Sequence, residues 1–145
     1  MPFANRNTIR ATIEGRLATE LASSPTVPVV FNNVVFKPTP NTSWVQCQVS
    51  FGDSDNLTLQ GDVVGDVGGD NLLTGLLLVN IFTPANTGTS ASLVLGKRIR
   101  DLYNRINVSD IYFDAPIGPM VVNSTLPDGF YQTQVRATFE FIEEL

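Results

Sequence analysis

The chain has 145 residues, of which 43% are hydrophobic and only 16% are charged, and its formal net charge is −5. This length suits one domain with a sizeable core, and the many Gly, Pro, Asn, Ser and Thr residues favour a sheet-rich domain over a helical bundle. The chain has no His and one Cys, which argues against a zinc site and against Ser–His or Cys–His nucleophiles.

The charges are spread unevenly. No Lys or Arg occurs between Lys37 and Lys97, and the aspartates of that interval equal the whole net charge: Asp53, Asp55, Asp62, Asp66 and Asp70. The rest of the chain is balanced, so we expect no broad basic face for nucleic acid. The N-terminal stretch does not read as a signal peptide, and no stretch approaches the ~20 apolar residues of a membrane span. We therefore expect a protein made in the cytoplasm that has no membrane partner.

The first predicted element is a helix over residues 7–23. Apolar side chains recur in it at every fourth position, which is typical of one buried face: Ile9, Ile13, Leu17 and Leu21. Asn7 or Thr8 can cap its start, and Pro25 is expected to stop it.

A strand is predicted over residues 44–51, after a Pro-rich extended piece. Val45, Cys47, Val49 and Phe51 point one way and polar residues point the other, as in a half-buried strand. We interpret Cys47 as a small buried hydrophobe and not as a reactive thiol, because its neighbours on that face are apolar.

Residues 53–71 are acidic and rich in Gly, and are predicted to form a mobile loop or the tip of a long hairpin. "DSDN" begins like a calcium loop. Leu57, Thr58 and Val64, however, stand where such a loop needs an oxygen ligand, a Gly and a Glu. We therefore predict no metal site here.

The apolar run "DNLLTGLLLVNIF" predicts a strand in the centre of the sheet, covered by helices. A second helix is predicted over residues 90–105, and its apolar stripe is Ala91, Leu95, Ile99, Leu102 and Ile106. Basic side chains lie off that stripe, towards the C-terminal half: Lys97, Arg98, Arg100 and Arg105.

The chain closes with two strands around the turn signal "PDG". Pro116 and Pro119 restrict the first of them to an edge or a kink. The last strand alternates, with an inward set of Tyr131, Thr133, Val135, Ala137, Phe139 and Phe141. The sequence therefore predicts an α+β fold, a mainly antiparallel sheet with two helices on one face.

The remaining signs of chemistry are weak. "PANTGTS" joins a strand to a helix but has no phosphate-loop Lys or spacing, so we interpret it as a turn and a helix cap. A carboxylate pair stays open as the basis of an enzyme, but most aspartates lie in a Gly-rich segment that would not hold them rigidly. We predict no catalytic residue and no cofactor, and expect function to lie in surfaces.

Several stretches together resemble the tail-terminator (tail completion) proteins of long-tailed bacteriophages, over residues 8–141. The most specific is "GLLLVNIFTPANTGTSASLVLGKRIRDLY", a strand, a Pro-containing turn and a small-residue start to an amphipathic helix. The others are "TIRATIEGRLA", "FNNVVFKPTPNTSWVQCQV" and "GFYQTQVRATFEF". The long acidic insertion does not match the family pattern, so the resemblance assigns it no role.

The resemblance implies a structural virion protein without enzyme activity or cofactor. Such proteins form a hexameric ring on the last ring of tail-tube protein, stop tube growth and present the surface that joins the head connector. DNA would pass through the lumen without specific binding. We expect the protein at the head-proximal end of the tail, assembled in the host cytoplasm.

Within that role, two sets of residues are predicted to make contacts. Subunit or tube contacts are expected from the basic residues of the second helix and from apolar side chains of the acidic segment: Leu57, Leu59, Val63, Val64 and Val67. The five aspartates would face the lumen or solvent.

Alternatives remain open at this stage. One is a carbohydrate-binding or adhesin-like module, which would need solvent-facing aromatics among Trp44, Tyr103, Tyr112 and Tyr131. Another is a different neck or tail structural protein of a phage.

Overall fold

A computed structural model of the chain describes residues 6–23, 26–34, 36–56, 70–86, 88–122 and 129–144. Its helices are α1 (Arg6–Glu20) and α2 (Ser90–Tyr103). Its strands are β1 (Val29–Phe31), β2 (Trp44–Asn56), β3 (Asp70–Pro84), β4 (Asn107–Val108), β5 (Ile111–Phe113), β6 (Ile117–Val121) and β7 (Phe130–Glu144).

The described strands form one sheet in the order β1-β2-β3-β7-β5-β4. Strand β1 runs parallel to β2, and all other pairs are antiparallel. Strands β5 and β6 pair with different stretches of β7, so both lie on the side of β7 away from β3. The predicted α+β class and the mainly antiparallel sheet are confirmed.

The strands β2 and β3 are longer than predicted. They pair up to Asn56 and Asn71, with a register shift between Phe51 and Ser54, so both ends of the predicted loop over 53–71 are strand. These residues form strand and not loop because β3 also pairs with β7 along its whole length, so the β3 backbone is hydrogen-bonded on both sides. Residues 57–69 lie outside the described part of the chain.

The main core lies between the helices and one face of the sheet. Val45, Cys47 and Val49 face it from β2, as predicted. From β7 the inward set is buried as predicted except for Tyr131, which is half-buried. Both helices pack on this face, also as predicted. The central position of β3 is confirmed, but its other face carries no described helix and leaves Leu76 and Leu78 half-buried there.

Helix α1 ends earlier than predicted. Ile9, Ile13 and Leu17 are buried as expected, but the helix stops at Glu20. The Leu21 carbonyl accepts the Val27 N–H at 2.8 Å, and this bond ties the end of the helix to the segment that leads into β1. Asn7 and Thr8 lie inside the helix, so the predicted caps are wrong.

Helix α2 buries Leu95 and Ile99 of the predicted stripe, and Leu102 and Ile106 pack half-buried against the core. Ala91 is exposed, and the buried face extends instead to Ser92, Gly96 and Tyr103. The cause is close packing at small residues: a Cβ on Gly96 would lie 2.6 Å from the Pro119 ring of β6. An apolar-stripe argument gives no weight to Ser and Gly, so it missed the side of α2 that packs on β6.

The edge position predicted for the Pro-containing strand is confirmed. Strand β6 pairs only with β7 among the described strands, and its register shifts between Ile117 and Met120. Gly118 has φ +115, and a Cβ there would meet the Gln134 carbonyl oxygen at 2.4 Å. Only glycine fits this bulge without displacing β7.

Candidate functional site

The four basic residues predicted as one face of the second helix are not brought together. Lys97 pairs with Asp101 one turn along α2, with Nζ and Oδ2 2.6 Å apart and both side chains exposed. Arg100 is exposed, and its spacing from Gly96 places it on the side of α2 near β6. Arg105 is exposed beyond the helix end, with φ +52. Of the predicted set, Lys97, Arg100 and Arg105 offer charge to solvent.

Arg98 points towards α1. Its Nε donates to Glu20 Oε1 at 3.0 Å, and its Nη2 donates to the carbonyls of Glu20 and Ser23. The Glu20 carbonyl ends α1 and the Ser23 carbonyl follows it, and a cation there satisfies an acceptor that the helix leaves open and complements its dipole. The side chain is only 16% exposed. Arg98 therefore joins α2 to α1.

A second arginine makes the reverse contact. Arg16 Nε donates to the Leu102 carbonyl at the end of α2 at 3.0 Å, and the Tyr103 hydroxyl donates to the Ile13 carbonyl at 2.8 Å. Burial raises the pKa of Tyr103 above its usual range, which keeps the hydroxyl protonated as a donor. Each helix end thus receives an arginine from the other helix. These contacts form because the two helices pack side by side, and sequence periodicity does not predict that packing.

Most of the predicted acidic and apolar contact residues fall outside the described part of the chain. Asp53 and Asp55 lie in β2 and Asp70 lies in β3, but only their backbones are described. Asp62 and Asp66 lie outside the described residues, as do Leu57, Leu59, Val63, Val64 and Val67. The roles expected for this segment stay predictions.

The sheet face opposite the helices carries an amide network that sequence reasoning missed. Asn80 Nδ2 donates to Gln46 Oε1 at 3.1 Å. Gln132 and Gln134 donate to Asn80 Oδ1 at 3.1 and 2.9 Å. Gln46, Asn80 and Gln134 are direct cross-strand neighbours on β2, β3 and β7, so register alone brings them together. The exposed Arg136 donates from Nη2 to Gln134 Oε1 at 3.3 Å, so one positive charge adjoins this polar network.

A shallow groove of about 390 Å³ lies farther along the same face. Its polar lining consists of the hydroxyls of Ser50, Thr74 and Thr138 and the carboxylates of Asp114 and Glu140. Thr138 donates to Asp114 Oδ2 at 2.6 Å. Both carboxylates are exposed. In enzymes that use two carboxyl groups as acid and base, differences in burial give the two groups different pKa values. The groove therefore contains two carboxylates, as the carboxylate-pair hypothesis requires, but it does not hold them in a buried, preorganised environment.

The lone thiol lies in the interior of the domain. Cys47 is buried, as predicted, and burial raises its pKa to about 12 from an ordinary 9.0, so it stays a neutral thiol. Within the described ranges, no three His, Cys, Asp or Glu side chains cluster to hold a metal ion. The helices described here are also too short or too polar to cross a membrane.

Most aromatic side chains that a sugar-binding module would expose are packed. Trp44 is buried in a small cluster with Val30 and Phe82, and stacks on Phe82 with ring centroids 4.1 Å apart. Tyr103 is buried and Tyr131 is half-buried. Tyr112 alone of the four predicted aromatics is exposed, so they form no stacking platform.

Large apolar side chains are exposed at both edges of the sheet. Val34 and Phe36 follow β1, at one edge, and are 59% and 36% exposed. Ile117 and Val121 belong to β6, at the other edge, and are 57% and 66% exposed. Leu93 of α2 is 53% exposed and lies one turn before Gly96, on the side that meets β6. The prolines predicted an edge or a kink for the strand that became β6, but nothing in the sequence pattern showed that β1 is an edge or which side chains are exposed at either edge.

Comparison with known proteins identifies the family. No curated protein sequence matches the chain. A solved structure of a protein whose name states no function superposes with a TM-score of 0.67 and covers 94% of this chain and 95% of its own. The two sequences are 17% identical, so this likeness concerns the fold alone. The family model described as "Phage tail terminator protein" matches residues 8–108, more than half of the chain. The chain therefore belongs to the phage tail terminator family.

Proposed function

We propose that this protein, a structural component of the phage tail, forms a homo-hexameric ring on the end of the tail tube. The ring stops tube polymerisation, lies at the head-proximal end of the virion tail and presents the surface that joins the head connector. The family match over residues 8–108 is the observation that carries this proposal. The ring assembles in the host cytoplasm from copies of this chain, and its partners are the tail tube protein and the neck proteins.

The geometry supports a role carried out by surfaces. The thiol is buried and protonated, and the Thr138 hydroxyl that donates to Asp114 lies on an exposed part of the sheet face. Exposed apolar side chains lie at both sheet edges. Exposed apolar surface of this kind commonly marks a site of protein–protein contact. These features suit a protein that binds other proteins without catalysis or cofactor.

The predicted contact residues have separate roles in this proposal. Lys97, Arg100 and Arg105 contact a neighbouring subunit or the connector, whereas Arg98 serves the fold. The apolar side chains of residues 57–67 dock on the tube or a neighbouring ring. The aspartates of the segment face water or the lumen, where their charge repels DNA phosphates and lets the genome pass without binding.

A polymerisation assay tests the proposal. Purified tail tube protein is polymerised with and without this protein, and the tube lengths and the position of bound protein are measured by electron microscopy. We expect shorter tubes that carry one ring at one end, and an unrelated acidic protein of similar size should leave the lengths unchanged. Unchanged lengths without end-bound rings contradict capping. Protein bound along the tube wall would instead favour a different tail structural role.

A further inference from the structure

The two edges with exposed apolar side chains lie at the same level of the sheet. One cross-strand row runs through five strands, from β1 through β2, β3 and β7 to β6: Val30, Gln46, Asn80, Gln134 and Met120. Strands lie ~4.8 Å apart, so the row measures about 19 Å along the curled sheet. The row ends in two different strands, and neither end pairs with a further strand among the described residues.

Neither edge carries the charges that usually protect one. Residues 26–36 contain no Asp, Glu, Lys or Arg, and neither do residues 115–123. Natural proteins commonly place charged side chains on edge strands to prevent association. The exposed apolar side chains are instead Val34 and Phe36 in the segment after β1, and Ile117 and Val121 in β6. The Phe36 ring also packs on Trp44, with the ring centroids 4.9 Å apart. Such side chains remain exposed to water unless another surface covers them.

We infer that the β1 edge of one copy packs against the β6 edge of the next copy, an inference that rests on the ring proposed above. A closed ring repeats one contact between two different surfaces, which are carried on opposite sides of each subunit. Two uncharged apolar edges at opposite ends of the same row meet that requirement. Val34 and Phe36 of one subunit cover Val121 and Leu93 of its neighbour.

The contact is made by side chains and is not a continuous sheet. Pro119 has no backbone N–H, and the register shift between Ile117 and Met120 breaks the regular row of hydrogen-bonding groups along β6. Strand addition is therefore blocked at the middle of this edge, while its apolar side chains remain available on both sides of the break. Arg100, on the side of α2 near β6, would lie at the rim of the contact.

Cross-linking with cysteine variants tests this contact. Val34→Cys and Val121→Cys place thiols at exposed positions, and the native Cys47 is buried and does not compete. The two single variants are mixed, allowed to assemble on tail tubes and treated with a short bismaleimide. The matched control mixes Ala18→Cys and Asn104→Cys, exposed positions on α1 and directly after α2 that belong to neither β1 nor β6.

We expect a 34–121 cross-linked dimer at roughly tenfold or more the yield of the control pair, because a specific contact holds two thiols at millimolar effective concentration. Each single variant alone should give only the control yield, and the double variant should give a ladder of larger products. Rings that cap tubes without 34–121 cross-links would overturn this interface and leave the proposed function standing. A dominant 121–121 product would overturn it too, since it reveals a two-fold contact. Cross-links without capped tubes would support the contact and contradict the capping role.

Discussion

Arg98 is a charged residue whose contacts stabilise the fold. Its guanidinium joins the Glu20 carboxylate and two carbonyls at the end of α1, and the side chain is only 16% exposed. We predict that Arg98→Ala lowers the free energy of unfolding by about 1–3 kcal/mol, because it removes charge-assisted hydrogen bonds from partly buried acceptors. Urea denaturation measures the change.

Lys97 provides the matched control, one position away on the same helix. Its ion pair with Asp101 is exposed, with side-chain exposures of 76% and 57%. Lys97→Ala should therefore change the free energy of unfolding by no more than ~0.5 kcal/mol. Equal effects of the two variants would contradict the assignment of Arg98 to the contact between the helices.

Cys47 gives a prediction about alkaline stability. Burial raises the thiol pKa from 9.0 to about 12, so above pH 9 the unfolded chain loses a proton that the folded chain keeps. Folding stability from this group is complete below pH 9 and declines as the pH rises. We expect the decline to approach about 1.4 kcal/mol per pH unit.

The slope isolates the effect of Cys47. Cys47→Ala should give a shallower fall in the free energy of unfolding between pH 9 and 10, whatever the cavity costs at neutral pH. Denaturation curves at several pH values measure both slopes. An unchanged slope would mean that the thiol titrates alike in the folded and unfolded states.

At the scale of elements, two helical glycines have opposite surroundings. A Cβ on Gly15 of α1 would meet no described atom within 4 Å, whereas a Cβ on Gly96 of α2 would lie 2.6 Å from Pro119. Alanine favours a helix over glycine by about 1 kcal/mol. We expect Gly15→Ala to raise the free energy of unfolding by up to that amount. Gly96→Ala should lower it, because the rigid proline ring must move.

Thermal or urea denaturation of the two variants checks the pair. The same substitution in both helices serves as its own control for helix propensity. If Gly96→Ala is as stabilising as Gly15→Ala, β6 does not pack closely on α2.

Replacing residues 57–69 by a four-residue Asn/Gly turn tests the acidic segment. Loop-closure entropy changes by only ~0.6 kcal/mol per doubling of length, so the folded state should survive with a change of about 1 kcal/mol. Tail completion should be lost, because the segment is proposed to dock on the tube or a neighbouring ring. The readouts are urea denaturation and the capping assay.

A second variant with the five aspartates changed to Asn keeps the length and the apolar side chains. Comparison of the two variants distinguishes an effect of losing the docking segment from an effect of losing its charge. If the shortened protein caps tails as well as the parent, the segment is a tolerated surface insertion.

The elements differ in how far the sequence predicts them. Strand β7 was predicted well, because the alternation of Val135, Ala137 and Phe139 with polar residues indicates a half-buried strand. The face of α2 was predicted in part: Leu95 and Ile99 are buried, but the burial of Ser92 and Gly96 was missed because it comes from close packing and not from hydrophobicity. The length of β2 was also missed, because its acidic end is held by pairing with β3.

At the scale of the whole molecule, the surfaces depend on contacts distant in sequence. The amide network needs the register of three strands, and the contact between Arg98 and Glu20 needs two helices from different parts of the chain. The exposed edges need the strand order, which places β1 and β6 at opposite sides. Periodicity and turn signals report local structure, so the α+β class was predictable while the candidate interfaces were not.

Imaging of the head-proximal end of assembled tails tests the central claim most directly. Averaged electron micrographs of tails from phage with this protein should show one hexameric ring seated on the last ring of the tube. Tails assembled without it should lack that ring and vary in length, and adding the purified protein should restore it. Tails of normal length whose head-proximal end has no such ring, or a ring that persists without this protein, would contradict the account.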